Sequence, residues 1–329
     1  MSAAVAASGE STVVAGVDIG GTSTLVVFVD ERGSVIAERG GETPAHVSGE
    51  AMVQLAVDLI AELTAETGMT PAAVGIGAAG VVDPVARRIV AASTSFVGWA
   101  GYSVGAHLDR ALGVPNSLVN DVNAFLLGEV AFGAARGLDN AAGITLGTGV
   151  GGAIYLDGAL WEGPEGAAGE LGHSPSYVVP GHGEEPCTCG QSAHLESIAS
   201  GRSIERRYRA RAGQIAADLP AGDGAALATR ARTGDGAAAH VFAEAGLMLG
   251  QAAVTLAATL DLGHLVVGGG VSGAWDLIEP GVRTYLAEHP PVSGRTLSVV
   301  RAERGSHAVA LGAASSARAL LTEDALIAS

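Results

Sequence analysis

The chain of 329 residues has the length of about two ordinary domains, and its 48% hydrophobic and 16% charged residues are typical of a folded globular protein. All 18 basic residues are arginine, which excludes P-loop NTPases, protein kinases and pyridoxal phosphate or Schiff-base enzymes, because each of these needs a lysine amine. The formal charge is −16, and 49 residues are glycine, roughly twice the usual share.

Three features bear on where the protein resides. Residues 1–12 have no positive region and no long apolar run, which predicts a frayed tail and not a signal peptide. The two cysteines, Cys187 and Cys189, are too few and too close for a disulfide framework. The most apolar stretches, residues 13–29 and 141–156, are interrupted by Gly, Thr or Asp, so neither predicts a membrane span. We therefore expect a cytoplasmic protein.

Residues 13–29 are predicted to form a strand, a turn and a second strand. The glycines Gly20 and Gly21, followed by Thr22, remove two Cβ atoms from the turn, so its N–H groups can approach a phosphate closely. Asp18 at the strand end could hold a hydrated cation. The alternative is an ordinary tight turn with Asp18 as a local cap.

The next elements alternate between helix and strand. Apolar residues recur at helical spacing over residues 50–67, which predicts a helix. An apolar strand that runs into a glycine turn is predicted at residues 74–81, with Gly80 in the turn. Further helices are predicted for residues 123–135, 240–260 and 307–321. This alternation predicts the α/β class.

Three polar residues, Asn120, Asp121 and Asn123, lie between an apolar strand and the helix that follows. One of them would serve as the helix N-cap, but capping explains one polar residue and not three. A carboxylate at the end of a strand could instead accept the proton of an attacking hydroxyl. We favour Asp121 as a catalytic base.

The hairpin plan recurs 127 residues further along, at residues 141–156, where the turn 147–149 takes the place of 20–22. Residues 265–271 likewise repeat the strand and glycine turn of residues 74–81. Two such turns facing one another would form a phosphate clamp. This duplicated plan resembles the actin-like ATPase superfamily.

The repeat predicts two α/β lobes, divided near residues 113–118, where a helix ends in Gly-Val-Pro. The predicted lobes are residues 1–118 and residues 119–306. The terminal helix, about residues 307–329, could return to the first lobe, and its placement is left open.

A cysteine and histidine motif lies in the second lobe. Cys187 and Cys189 are two positions apart, and His194 follows five positions later, so the three can meet one Zn²⁺. His173 would supply the fourth tetrahedral ligand, and with no open position the site would be structural. The alternatives are a free cysteine pair with unrelated histidines, or His182 of the same loop as a rival ligand.

These motifs together resemble the ROK family of bacterial sugar kinases and their repressor relatives, over nearly the whole chain. The phosphate, catalytic, second phosphate and adenosine motifs correspond to residues 18–22, 120–123, 146–152 and 268–271. The most specific part is Glu170-x-Gly-His173, followed by a Cys-x-Cys zinc motif within residues 187–196.

The resemblance implies two actin-like, ribonuclease H-like α/β lobes with a nucleotide and sugar cleft between them. It implies phosphorylation of a hexose at its 6-hydroxyl with ATP and Mg²⁺, glucose being the favoured sugar, beside a structural Zn²⁺. The alternatives are an N-acetylhexosamine kinase, a fructokinase or a noncatalytic sugar-sensing relative, and another nucleotide or polyphosphate as donor. The family also implies a homodimer or homotetramer.

Site residues follow from the same resemblance. The catalytic base would be Asp121, and the sugar would be bound by Gly80, Ser95, Asn120, Asp121, Glu170, His173 and Glu196. ATP and Mg²⁺ would be held by Asp18, Gly20, Gly21, Thr22, Gly147, Thr148, Gly149, Gly268, Gly269, Gly270 and Val271. The zinc ligands would be His173, Cys187, Cys189 and His194.

The chain departs from the family pattern at three places. Ser23 stands where a Lys commonly follows the first motif, which leaves phosphate binding to backbone dipoles and Mg²⁺. His194, preceded by Ala193, replaces a Gly-Cys pair, and imidazole is a good zinc ligand. Ser95 replaces a sugar-contacting Asn, which leaves the identity of the sugar open.

Nucleic acid and membrane are not expected as partners. An arginine run at helical spacing predicts a solvated helix face or a subunit contact, because it has no interleaved aromatic residues. Its members are Arg202, Arg206, Arg207, Arg209 and Arg211. Only 17 residues precede Asp18, too few for a helix-turn-helix domain, so a repressor is not expected.

Overall fold

The computed structural model describes residues 12–327, with side chains described as far as residue 322. The frayed tail predicted for residues 1–12 lies outside the described residues, apart from Thr12. The described residues form two compact units, one made of the residues up to 128 together with those from 309 onwards, the other of residues 129–308.

Within the described residues, strands alternate with helices, as the α/β prediction requires. The strands are β1 (Val14–Ile19), β2 (Ser23–Val29), β3 (Val35–Glu42), β4 (Val74–Ala78), β5 (Val81–Asp83), β6 (Arg88–Ala91), β7 (Asn116–Asn120), β8 (Ala141–Leu146), β9 (Val150–Leu156), β10 (Ala159–Leu160), β11 (His264–Gly268) and β12 (Ser298–Arg301). The helices are α1 (Gly49–Thr67), α2 (Val104–Ala111), α3 (Asp121–Phe132), α4 (Glu196–Ala199), α5 (Gly201–Ala212), α6 (Gly224–Arg232), α7 (Gly236–Leu260), α8 (Trp275–Glu288) and α9 (Ala308–Ile327).

The two units contain sheets of the same topology. The strand order is β3-β2-β1-β4-β7 in the first unit and β10-β9-β8-β11-β12 in the second. In each sheet the first three strands are antiparallel neighbours and the remaining pairs are parallel. Strands β1 and β8 are therefore equivalent, each followed by its hairpin partner. The predicted duplication of the hairpin is confirmed.

Helix α1 shows how local sequence sets the bounds of an element. Ser48 caps its N-terminus, because the Ser48 hydroxyl accepts a hydrogen bond from the N–H of Ala51 at 3.0 Å. The helix ends at Gly68, whose φ of 70° lies in the left-handed region. Its buried face, which includes Val53 and Ile60, belongs to the hydrophobic core of the first unit. The helix predicted from apolar spacing is confirmed.

Helix α9 lies directly against strands β1 and β4 of the first unit. A Cβ atom at Gly16 would lie 1.9 Å from the carbonyl oxygen of Ala310, and one at Gly75 would lie 1.8 Å from that of Ala313. Both distances are far below van der Waals contact, so only glycine allows this approach. These strand glycines therefore serve packing, a use that their sequence pattern did not predict.

We expect Gly75→Ala to lower the free energy of unfolding by about 1–3 kcal/mol or more, because an added methyl group would force α9 away from β4. Gly40→Ala is the matched control, since a Cβ at this β3 position meets nothing closer than 3.5 Å. The control should change stability by less than about 0.5 kcal/mol. Urea denaturation of the two variants measures the difference, and equal stabilities would contradict the proposed close packing.

Among the described residues, α7 is the one helix that is long and apolar enough to span a membrane by length and composition. However, 61% of its most apolar window is buried inside the structure. Its residues Val241, Phe242 and Leu249 belong to the hydrophobic core of the second unit. The helix thus packs as a core helix of that unit. The two apolar stretches of the sequence, residues 13–29 and 141–156, form sheet strands.

Candidate active site

The predicted catalytic motif lies where β7 ends and α3 begins. Oδ1 of Asn120 accepts hydrogen bonds from the N–H groups of Val122 and Asn123, at 2.9 and 3.1 Å, and so caps the first turn of the helix. Nδ2 of Asn120 donates to the carbonyl oxygen of Gly80 at 2.9 Å and to Oδ1 of Asp121 at 3.0 Å. Capping therefore accounts for Asn120, and Asp121 requires another explanation.

Two predicted sugar contacts, Gly80 and Ser95, also belong to the first unit. Gly80 has a φ of 111°, and a Cβ there would lie 2.5 Å from the carbonyl oxygen of Ala91, so the position requires glycine. Its hydrogen bond from Asn120 joins it to the catalytic motif. Ser95 is exposed, and its hydroxyl lies 3.0 Å from that of Ser93.

Asp18, near the end of β1, interacts electrostatically with the catalytic motif. Burial raises the pKa of Asp18 to about 7, and the negative charge of Asp121 adds to the increase. The two carboxylates are therefore close enough to repel one another. A divalent cation would relieve this repulsion, and carboxylate oxygens are ligands that Mg²⁺ prefers. The pair fits the predicted Mg²⁺ site.

Both predicted phosphate turns are tight turns between paired strands. The N–H of Gly20 donates to the carbonyl oxygen of Ser23 at 3.1 Å, and the N–H of Gly147 donates to that of Gly149 at 2.9 Å. The exposed turn positions include Gly21, Thr22 and Thr148. Each turn thus presents backbone at the surface of its unit, as a phosphate-binding turn must.

The predicted adenosine loop borders a cavity of about 1100 Å³ that lies within the second unit. Four predicted nucleotide-binding residues line this cavity: Gly147, Thr148, Gly270 and Val271. Gly268 ends β11, and Gly269 has a φ of 81°. A Cβ at Gly269 would lie 2.4 Å from the carbonyl oxygen of Leu146, so the turn after β11 requires glycine. The structure therefore joins the second phosphate turn and the adenosine loop in one cavity.

The other wall of this cavity, formed by α5, α6 and the chain between them, was not predicted. Its apolar members include Ile204, Ala221, Ala225, Leu227 and Ala228. Apolar side chains of this kind suit the flat face of a nucleoside base. The arginine run on α5 was the one sequence signal that could have pointed to this wall.

The arginines of α5 do not form a uniform solvated face. Arg207 is 4% exposed, and its guanidinium pairs with the carboxylate of Glu244, which is 3% exposed. Arg211 donates to both oxygens of Glu244, at 2.6 and 2.7 Å. The prediction of a solvated face is wrong for Arg207, because a buried carboxylate needs buried positive charge beside it.

Glu196 connects the second glycine turn to the cysteine loop. Its Oε2 accepts a hydrogen bond from the N–H of Val150 at 3.1 Å, and its Oε1 accepts one from the hydroxyl of Thr188 at 2.6 Å. Burial would raise the pKa of Glu196, but these hydrogen bonds outweigh it and hold the pKa below its usual value. A Cβ at Gly149 would lie 2.6 Å from Oε2, so a larger residue there would displace this carboxylate.

The four predicted zinc ligands come together in the second unit. His173 lies in the 3₁₀ turn Leu171–His173, directly after the exposed Glu170. Sγ of Cys187 is 3.7 Å from Nδ1 of His173, and Sγ of Cys189 is 3.4 Å from Nδ1 of His194. Thiolate sulfur and imidazole nitrogen are about 3.5 Å apart around a tetrahedral zinc ion. All four ligand atoms lie within 4.8 Å of one another, so donor set and spacing fit structural zinc.

His182, the alternative ligand, lies outside this cluster. Its Nε2 is 2.9 Å from Nη2 of Arg211 and 3.6 Å from Oε1 of Glu244. It therefore belongs to the ion-pair network of α5 and α7. His173 completes the set of four donors.

The ROK family model matches residues 14–319. The chain belongs to the ROK family. Within this family, the glucokinase of Streptomyces coelicolor is 33% identical over 321 residues, which covers 92% of this chain and 96% of the relative. The N-acetylmannosamine kinase of Shigella boydii is 29% identical over 275 residues, which covers 83% of this chain and 88% of the relative.

A ROK family glucokinase from Streptomyces griseus, crystallised with glucose and AMPPNP, has a similar structure. The TM-score is 0.78 at 31% identity, and the match covers 93% of this chain and 99% of that one. The predicted α/β fold of two actin-like lobes is confirmed by this similarity. This protein is therefore a sugar kinase, that is, a phosphotransferase with an alcohol acceptor.

Proposed function

We propose that this ROK kinase transfers the terminal phosphoryl group of ATP to the 6-hydroxyl of a hexose, with glucose as its preferred sugar. The observation that carries the proposal is the motif at the start of α3, where Asn120 caps the helix and Asp121 lies near the half-buried Asp18. The 33% identical glucokinase, and the glucose and AMPPNP bound to the related structure, support the choice of substrates.

Asp121 acts as the general base in this proposal. Its carboxylate accepts the proton of the 6-hydroxyl while the hydroxyl oxygen bonds to phosphorus and the bond from phosphorus to the ADP oxygen breaks. Asn120 orients the base, because its amide donates to Oδ1 of Asp121 at 3.0 Å. A base in this role contributes about 10²–10⁴-fold to the rate.

Asp18 would hold a hydrated Mg²⁺, which supplies positive charge to the phosphates of the nucleotide. The raised pKa of Asp18 supports this assignment, since a cation would offset the burial and the charge of Asp121 that raise it. The N–H groups of turns 20–22 and 147–149 would bind phosphate oxygens. The cavity bounded by Gly270 and Val271 would accept the adenosine, and its apolar wall favours a nucleotide over polyphosphate as donor.

The residues proposed to bind the sugar are those that the family resemblance implies: Gly80, Ser95, Asn120, Asp121, Glu170, His173 and Glu196. Because both oxygens of Glu196 already accept hydrogen bonds, we propose that it also holds the second glycine turn in place. A structural Zn²⁺ at His173, Cys187, Cys189 and His194 would fix the loop that carries these contacts.

The second candidate is an N-acetylhexosamine kinase, and Ser95 favours it. Its hydroxyl is shorter than the amide that the family pattern places there, so a bulkier sugar substituent would fit beside it. A relative of 29% identity is an N-acetylmannosamine kinase, which supports this second candidate.

We expect the chain to release ADP from ATP and Mg²⁺ when it is given glucose, with the highest kcat/KM of a panel that also contains mannose, fructose, glucosamine and the N-acetylhexosamines. The product should be a substrate for glucose-6-phosphate dehydrogenase, which reports the position of the new phosphate. A preference for an N-acetylhexosamine would replace the first candidate by the second. If no sugar of the panel caused ADP release, both candidate functions would be contradicted.

A further inference from the structure

The cavity of the second unit is lined by more arginines than are paired with acceptors of the protein. Four arginines line it: Arg202, Arg206, Arg209 and Arg232. The side chains of three of them are engaged by neighbouring acceptors, whereas the side chain of Arg202 makes no hydrogen bond or ion pair with any described residue. Arg202 is therefore an exposed residue of the cavity lining whose five side-chain donors are not used by any described residue.

The partners of the other three arginines explain why they are there. Arg206 donates to Oε2 of Glu185 at 3.1 Å and to the carbonyl oxygen of Ser197 at 3.0 Å. Arg209 donates to Oε1 of Glu205 at 2.8 Å. The third, on α6, is bound by both oxygens of a carboxylate on α8. These side chains stabilise the cavity wall, and no comparable structural role applies to Arg202.

Arg202 also lies next to the second phosphate turn. It follows Gly201, the first residue of α5, whose N–H donates to the carbonyl oxygen of Gly147 at 2.8 Å. A Cβ at Gly201 would lie 3.2 Å from a methyl group of Val271, in the adenosine loop. The residue before Arg202 thus touches both the turn proposed to bind phosphate and the loop proposed to bind adenosine.

The composition of the chain makes this position chemically significant. With no lysine among 329 residues, a side-chain cation for the nucleotide must be an arginine. A guanidinium presents a planar fork of donors that matches two phosphate oxygens at once. We propose that Arg202 contacts the phosphates of the bound nucleotide and supplies the positive side chain that the glycine turns lack. This inference rests on the proposed kinase function and concerns the same site.

The proposal predicts a loss of affinity that depends on phosphate. In the full-length protein, Arg202→Ala should raise the KM for ATP and the Kd for ADP about 10- to 100-fold, because charge-assisted hydrogen bonds to phosphate are lost. The Kd for adenosine and the Kd for the hexose should stay within about twofold of wild type. Arg202→Lys should recover part of the loss, and Arg202→Gln should not.

The matched control is Arg283→Ala, which removes an exposed arginine of α8 that lies outside the cavity lining. Isothermal titration with ATP, ADP and adenosine measures both variants beside the wild type. Unchanged ATP and ADP affinities in Arg202→Ala would overturn the proposal. An equal loss for adenosine would overturn it as well, since Arg202 would then shape the cavity and not bind phosphate.

Failure of the proposed function would appear in a different measurement. A wild-type chain that binds ATP and phosphorylates a sugar, together with an Arg202→Ala variant of unchanged nucleotide affinity, would reject Arg202 alone. A wild-type chain that binds no adenine nucleotide would reject the kinase proposal and Arg202 with it.

Discussion

Asp121→Asn is expected to lower turnover at least about 10²-fold while the Kd of the hexose stays within about twofold of wild type. The substitution keeps the size of the side chain and an oxygen that can accept the amide hydrogen bond of Asn120, which lies 3.0 Å from Oδ1 in the wild type. It removes the carboxylate that would accept the proton of the attacking hydroxyl. The effect should therefore fall on kcat, measured by coupled ADP release under saturating ATP and sugar.

The control for this variant is Asp58→Asn in α1, where the carboxylate accepts a hydrogen bond from Gln54 on the exposed face of the helix. Turnover of the control should equal that of wild type. If Asp121→Asn also turned over at a rate close to wild type, Asp121 would not be the base. A variant that lost hexose binding as well would place Asp121 among the structural supports of the site.

The hairpins, their glycine turns and the polar motif at the start of α3 could be predicted because each is encoded in a short stretch of sequence. Apolar segments on either side of a glycine turn indicated β1, β2, β8 and β9, and the polar residues after β7 indicated Asn120 and Asp121 as candidates. Which of the two residues caps α3 could not be predicted, because either side chain can do so. The hydrogen bonds of Asn120 decide this point.

Contacts between distant parts of the chain could not be predicted. Glu196 and Val150 are 46 positions apart, and no local pattern indicates that one carboxylate would support the glycine turn and the cysteine loop together. The same holds for Gly75, whose need to be glycine comes from the backbone of Ala313. The excess of glycine thus serves both turns and close packing between elements, such as α9 against β4 and α7 against α8, and composition alone does not separate these uses.

The acidic partners of the arginines in α5 could likewise not be predicted from the spacing of the run. Spacing placed the run on one helix, which α5 confirms, but the buried partner of Arg207 is Glu244 on a helix further along the chain. In the same run, Arg202 differs from its neighbours only because no acceptor faces it among the described residues. The spacing of the arginines predicts the helix, whereas contacts with distant helices determine which arginines form ion pairs within the fold.

Replacing both Cys187 and Cys189 with serine is expected to abolish the binding of one equivalent of zinc per chain and to lower the Tm by at least about 5 °C. Binding energy at a structural zinc site contributes directly to folding, and each kcal/mol moves the Tm of a domain of this size by about 2–4 °C. Thr188 lies between the two cysteines and donates to Glu196, which in turn accepts from the N–H of Val150. Loss of zinc should therefore also loosen the second glycine turn and raise the KM for ATP.

His182→Ala is the control for the zinc prediction, since this histidine lies near the four donors in sequence but accepts a hydrogen bond from Arg211 and lies 3.6 Å from the carboxylate of Glu244. Elemental analysis should find one zinc per chain in the control and none in the double serine variant. Treating the wild type with a chelator should reproduce the loss of Tm without any substitution. A double variant that is zinc-free and as stable as wild type would show that the cluster formed by His173, Cys187, Cys189 and His194 does not hold a structural ion.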